Sequence, residues 1–315
     1  MSEAVRKVRQ ALKRRSVVLS GFLACFCIFI PAHMEAEGPL VLQSDFGIED
    51  ASVAAMKGIA AKVSGSLNVH DLTHEIPQFN IWEAANRLKE AASFWPAGTV
   101  FVSVVDPGVG SGERSVVLKT RSGHYFVTPD NGTLTFVAEQ LGIEELRQID
   151  LSDNRVTGSS EFSTFHGRDL YPHVGANLAS GHMFFQQVGR RLPPEIVELK
   201  HVKCNVSDGV AHGSIPVLDK RFGNVWTNIP LKLFGKLGIA AGEPVSVKIS
   251  RRGTVIFEHT MVFSRSFSEV PVGDPLVFVN NLGEIALATN RGNFAETHGI
   301  EAGTEWSVEM SSAEE

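Results

Sequence analysis

The chain has little cysteine and no excess of basic charge, and each shortage removes a class of function. Of its three cysteines, Cys25 and Cys27 lie in an N-terminal apolar run, which leaves Cys204 alone. No internal disulfide can form downstream of that run, and a solitary thiol reads as apolar filler rather than as a nucleophile. From residue 37 onward, 23 Lys and Arg face 33 Asp and Glu, a net charge near −10. That balance argues against nucleic acid as a partner. Internal repeats and low-complexity tracts are also missing. His70 and His74 stand near Asp71 and Glu75, but no His-Glu-x-x-His helix is present and Pro77 follows closely. No metal site is therefore expected. Gly108, Gly110 and Gly112 do not make a dinucleotide loop, because the following Ser115-Val-Val-Leu118 reads as a strand and not a helix.

What is present begins with a leader. Arg6, Lys7, Arg9, Lys13, Arg14 and Arg15 form a basic segment, and Ser16 to Ala32 is almost uninterruptedly apolar. Residues 1–36 thus read as a secretory signal peptide, or alternatively as an uncleaved membrane anchor. Either way the basic flank predicts that the rest of the chain is exported, to a periplasmic or extracellular location. From Leu40 to about Ala179, short apolar runs alternate with helical spacings. Strands are expected at Leu40–Leu42, Leu67–Val69, Thr99–Val105, Ser115–Lys119 and Tyr125–Thr128, and helices at Ser52–Val63, Ile81–Trp95, Leu134–Leu141 and Leu170–Ala179. This alternation predicts an α/β domain over 37–193 with a largely parallel sheet. Pro193 and Pro194 mark a linker. Beyond it, β-type runs at Pro244–Ser250, Thr254–Phe263, Leu276–Asn280 and Glu284–Ala288 predict a smaller all-β, barrel-like domain over 194–315.

Two runs place ionisable groups where the backbone must turn. Asp106 ends a buried strand and precedes Pro107-Gly108, a position where α/β folds gather ligands. The plainer reading is a turn in which its carboxylate only caps backbone N–H groups. His166 sits in Thr164-Phe-His-Gly-Arg-Asp169, just ahead of an expected helix, with a satisfied structural histidine as the alternative.

These runs belong to an ordered set. Ser44-Asp45-Phe-Gly47, Asp71-Leu-Thr-His-Glu-Ile-Pro-Gln-Phe79, Val104-Val-Asp106-Pro-Gly-Val-Gly110, Pro129-Asp-Asn131-Gly132 and Thr164-Phe165-His166-Gly-Arg-Asp169 come first. Asp219-Lys-Arg-Phe222-Gly-Asn224-Val-Trp226-Thr-Asn228 and Asn280-Asn281-Leu-Gly283 follow. The set resembles the S-adenosylmethionine hydroxide adenosyltransferase family, hydrolytic relatives of fluorinase and chlorinase, over nearly the whole chain beyond the leader. Any one motif is weak; their common order is specific.

The resemblance implies attack of water or hydroxide on ribose C5′ of S-adenosylmethionine, giving adenosine and methionine, with no cofactor. It implies that Asp106 and His166 position and deprotonate the water. Asp45, Phe79, Asn131, Phe165, Asp219, Phe222, Asn224, Trp226 and Asn281 would hold the substrate. It further implies a homotrimer with sites at subunit seams. The family's arginine, seven positions after the aspartate, is replaced here by Glu113; Arg114 lies one residue later, and Gly112 allows a loop shift that would bring Arg114 in. Halogenating relatives carry tyrosine at the position of Asp106, and fluorinase carries serine at that of Gly167. A carboxylate is a poor neighbour for a halide, which disfavours a halogenase. Two further readings stand beside the hydrolase: a non-catalytic nucleoside-binding protein, favoured by Glu113, and a structural envelope protein. The export signal sits awkwardly with a substrate made in the cytoplasm, so the ligand is S-adenosylmethionine or a related adenosyl compound.

Overall fold

The computed structural model describes residues 38–154 and 166–313; the expected leader lies outside them. The first sheet contains β1 (Leu40–Ser44), β2 (Val69–Thr73), β3 (Val100–Val104), β4 (Ser115–Thr120), β5 (Tyr125–Pro129), β6 (Ile143–Gln148) and β7 (Arg191–Leu192). Its spatial order is β2-β1-β3-β5-β4-β6-β7. The β-branched runs alternate between two cores, as a sheet covered on both faces requires. Leu40, Leu42, Val100 and Val102 face one core, while Val41 and Phe101 face the other. Helices α1 (Ser52–Val63) and α5 (Tyr171–Ala179) supply Met56, Ala60, Val174 and Leu178 to the first core. Helices α2 (Ile81–Ala92) and α3 (Thr135–Leu141) supply Leu88, Ala92 and Val137 to the second. A one-turn helix, α4 (His166–Asp169), precedes α5.

The expectation of a largely parallel sheet is corrected. β2, β1, β3 and β5 run parallel, but β4, β6 and β7 join antiparallel, so the sheet is mixed. The cause is connection length. Only residues 121–124 separate β4 from β5, with Gly123 at φ +83°. A parallel crossover needs a dozen or more residues, so this link can make only a hairpin. The second strand also lies further along than expected, because it is an edge strand with exposed His70 and Asp71 and lacks a buried apolar signature.

The second domain is a nine-stranded sheet containing β8 (Asn205–Ser207), β9 (Val210–Ile215), β10 (Val217–Asp219), β11 (Asn224–Pro230), β12 (Pro244–Arg251), β13 (Thr254–Phe263), β14 (Pro275–Val279), β15 (Glu284–Thr289) and β16 (Gly303–Ser312). Its order is β10-β11-β15-β14-β13-β12-β16-β9-β8, antiparallel except between β13 and β14. The sheet curls into a half-barrel around Val245, Val247, Ile249, Leu287 and Val308. The curl brings β9 next to β11, which is not its ladder neighbour. The Ser214 N–H donates to Asn228 Oδ1 at 2.7 Å, and Gly213 allows close approach, since a Cβ there would lie 2.5 Å from Ile229 Cγ1. Helix α2 joins the two domains. Trp82 Nε1 donates to the Pro216 carbonyl at 2.8 Å, and Arg87 Nη2 to that of Leu218 at 3.0 Å. Lys89 Nζ meets Glu284 at 2.6 Å.

The first domain's topology fixes where a ligand can sit. β1 is flanked by β2 on one side and β3 on the other, so the chain reverses its winding direction between β1 and β3. A crevice opens beyond the carboxyl ends of strands at such a point. Asp45 follows β1 there, and Asp106 follows β3. Helix α5 must seat tightly to hold this edge: a Cβ on Gly175 would overlap Val102 and lie 3.1 Å from Leu40. Gly175→Val should therefore destabilise the fold by about 1–3 kcal/mol, since overpacking a filled core costs that much. Urea unfolding reads this as a lowered midpoint; an unchanged midpoint would mean that α5 does not seat as described.

Candidate active site

β3 ends because Val105 and Asp106 lead into Pro107, which has no N–H to extend the ladder. Gly110 and Gly112 then turn the chain with φ of +83° and +86°. Asp106 is left half-buried beside a cleft of about 290 Å³. Asp45, Phe46, Phe79, His166 and Gly167 also line the cleft. Four of the sequence-predicted residues, Asp45, Phe79, Asp106 and His166, are thus brought together. Phe165 lies outside the described residues.

Each wall has a local cause. Asp45 Oδ2 accepts the Phe79 backbone N–H at 2.9 Å. Phe79 has φ +63°, unusual for a bulky residue, and the residue is 66% exposed. Behind Asp45, Ser44 Oγ lies 2.7 Å from His74 Nδ1, and His74 Nε2 lies 3.2 Å from Asp71 Oδ1. Burial lowers the His74 pKa, with Asp71 opposing the shift. His74 is therefore a neutral brace between β1 and β2. His70 packs against Trp95, with ring centroids 5.1 Å apart. Among the described residues no cluster of His, Cys, Asp and Glu could hold a metal ion. Gly167 packs so tightly that a Cβ would fall 2.6 Å from Phe46 Cζ and 2.9 Å from Val104 Cγ1.

Asp106 is held above its ordinary pKa, first by burial and further by the charge of Asp45. The charge of His166, the hydroxyl of Tyr171 and the backbone N–H of Gly108 oppose that shift. Tyr171 escaped the sequence reading. Its hydroxyl bonds Ser115 Oγ at 3.0 Å and Asp106 Oδ2 at 3.4 Å, and its ring meets His166 edge-on at 6.4 Å. Burial pushes its phenol pKa well up, so it remains a neutral donor. A signal was available, since the chain has only two tyrosines and this one starts a helix three residues past Arg168.

Other expected residues sit elsewhere. Arg114 pairs with Asp130, whose other oxygen accepts the Val197 N–H at 2.9 Å. Arg114 lines a separate open groove with Glu113, Ser111 and Asn131. The Asn131 side chain braces the turn, donating to the Val105 carbonyl at 2.9 Å and accepting from Thr133 Oγ1 at 2.7 Å. Arg168 forms a two-pronged pair with its neighbour Asp169. In the second domain, Asp219 accepts from Asn224 Nδ2 at 3.1 Å and from the Phe222 N–H at 3.4 Å. Phe222, 65% exposed, and Asn224 line a groove of about 1200 Å³ with Arg291 and Asn293. Asp219, Trp226 and Asn281 line another, of about 700 Å³, against α2. Among the described residues, the lining of the Asp106 cleft comes from the first domain.

Comparison with known proteins agrees across the chain. Residues 40–189 match the SAM hydroxide adenosyltransferase N-terminal domain, and residues 213–307 match its C-terminal domain. A fluorinase from Actinoplanes sp. is 31% identical over 297 residues, covering 86% of this chain and 97% of its own. An (R)-S-adenosyl-L-methionine hydrolase from Methanocaldococcus jannaschii is 39% identical over 194 residues, covering 60% of this chain and 66% of its own. The crystal structure of an uncharacterized conserved protein from Thermotoga maritima superposes with a TM-score of 0.80 at 33% identity, covering 86% and 99% of the two chains.

The electrostatics of the cleft make a prediction about stability. A carboxyl with a raised folded pKa stabilises the fold only below its unfolded value, near 3.8, and loses that contribution as pH rises through the folded value. Asp106→Asn should therefore unfold at a higher temperature than wild type near neutral pH, with the gap closing as the pH falls toward 4. Equal midpoints at neutral pH would contradict the burial of a charge at Asp106.

Proposed function

The chain belongs to the SAM hydroxide adenosyltransferase family, and from that premise we propose that it hydrolyses S-adenosylmethionine, or a close adenosyl relative, to adenosine and the thioether. The observation that carries this reading is Asp106, a half-buried carboxyl with a raised pKa facing His166 across a small cleft. In the reaction, the water oxygen bonds to C5′ as the C5′–S bond breaks and its electron pair moves onto sulfur. The water proton goes to Asp106. A base is most useful when its pKa lies near the working pH, and burial moves Asp106 in that direction. Displacement of water by the bound substrate would also favour a step in which a sulfonium cation and an incipient hydroxide neutralise one another. Asp45 and Phe79, already bonded to each other, suit the ribose and the nucleoside face.

Relatives named fluorinase and relatives named hydrolase both align with this chain, so overall likeness does not choose the nucleophile. The residues do. Asp106 stands where halogenating relatives carry tyrosine, and Asp45 and Glu113 add further carboxyl groups around it. A halide entering there would meet like charge at close range. Gly167, pressed against Phe46, leaves no room for the serine of fluorinase.

The chemistry-bearing faces of Phe222 and Asn224 line a groove other than the Asp106 cleft. We therefore propose that a neighbouring subunit's second domain closes each cleft, in a homotrimer. The basic and apolar leader supports export, which would place the reaction outside the cytoplasm.

Asp106→Ala and His166→Ala should each lower adenosine release from S-adenosylmethionine by roughly 100-fold or more, the usual scale for a lost acid–base group. Calorimetry should show binding largely retained; parallel loss of binding and rate would remove them from the chemical step. Shared sites make a second prediction. Mixing inactive Asp106→Ala subunits with inactive Phe222→Ala subunits, after dissociation and reassembly, should restore activity, because some sites then receive two intact halves. No recovery from verified mixed assemblies would refute sites shared between subunits.

A further inference from the structure

The hydrolytic reading leaves Glu113 without a role, although it stands where the family motif has arginine. Its side chain folds back over the turn, with Oε2 so close above Gly108 that a Cβ there would lie 2.5 Å away, which brings its carboxyl up to that of Asp106. Two carboxyl groups can share a hydrogen bond only if one carries a proton. Asp106 Oδ1 is buried without a hydrogen-bond partner among the described residues, and a protonated Glu113 would supply one.

We propose that Glu113 is the proton partner of Asp106, the two carboxyl groups holding one proton between them and Glu113 passing to solvent the proton that hydrolysis releases. This rests on the hydrolytic reading of Asp106. The surrounding charges favour a retained proton. Asp45 faces Asp106, Asp130 faces Glu113, and Tyr171 is a neutral phenol beside both. His166 acts on Asp106, and the nearby cation Arg114 is paired with Asp130. Burial raises the Glu113 pKa, and the charges of Asp106 and Asp130 raise it further.

The pair also spans two openings. Asp106 lines the cleft with Asp45, Phe79 and His166, whereas Glu113 lines the open groove of about 770 Å³ with Ser111, Arg114 and Asp130. The proton can therefore leave by a mouth that the substrate does not occupy. In each turnover, Asp106 takes the water proton while Glu113 releases its own to solvent. The proton between them then returns to Glu113, restoring the pair. Water and a sulfonium become an alcohol, a thioether and one free proton, so charge and atoms balance.

The test has a part that needs no substrate. Infrared difference spectra between wild type and Glu113→Gln should show a protonated carboxyl that persists above the ordinary carboxylate range in wild type only. A band absent from wild type, or still present in Glu113→Gln, overturns the proposal. In turnover, Glu113→Gln should lower kcat by roughly 10- to 100-fold with KM within about twofold, the signature of a group acting in the chemical step. The amide is a weaker donor to ionised Asp106 than a carboxylic acid, so part of the stabilisation of the ionised form is lost and the acid limb of the kcat profile should move to higher pH. Unchanged kcat and an unmoved acid limb would overturn the relay. Wild-type protein that releases no adenosine would instead contradict the hydrolytic reading, while the spectra still decide whether the proton is shared.

Discussion

A carboxyl group drawn out of water at the end of the central strand is the constraint around which the first domain is arranged. Asp106 cannot continue the ladder because Pro107 follows, and Tyr171, His166 and the glycine turn hold it half-buried at the edge of the cleft. Burying a charge is costly unless donors compensate, and here the compensation is incomplete. Oδ2 receives the neutral Tyr171 hydroxyl, while Oδ1 is buried without a hydrogen-bond partner among the described residues. Functional sites commonly give up stability in this way to keep a group poised. The braces behind the cleft keep their positions through ordinary satisfied bonds: Ser44 with His74, Asn131 with Val105, and Arg114 with Asp130.

Much of this was legible in the sequence, and the reasons are local. Asp106 and His166 could be singled out because proline and glycine reveal backbone turns without any tertiary knowledge. The buried strands β1, β3 and β5 and the helices α1 and α2 carried clear apolar patterns. The antiparallel half of the first sheet was missed although its cause, the four residues between Thr120 and Tyr125, was in plain view. β6 was missed for a different reason. Ile143–Gln148 carries three charged residues among six, lacks an apolar alternation, and draws its burial from neighbours distant in sequence. The second domain's β9, β10 and β16 are likewise defined by partners far along the chain.

The site was legible in part. Tyr171 reads locally as a helix-start residue, and only the folding of α5 under β3 brings its hydroxyl to Asp106. The loop from Pro107 to Arg114 could be read with either Arg114 or Glu113 turned toward the aspartate. The structure puts the Glu113 carboxyl beside Asp106 and the Arg114 guanidinium on Asp130. No pattern of single residues could choose between these, because Asp130 becomes a competing partner only once β5 lies beside β4. Nor could the sequence show that Phe222 and Asn224 line a groove apart from the cleft.

The central claim is that Asp106 activates water, and not a halide or another nucleophile, toward a 5′-adenosyl sulfonium. The most direct measurement is the reaction run in ¹⁸O-water with S-adenosylmethionine and added chloride, followed by mass spectrometry of the nucleoside product. The account predicts adenosine carrying one ¹⁸O at the 5′ position and methionine carrying none. A 5′-halogenated nucleoside, or adenosine without the label, would contradict it.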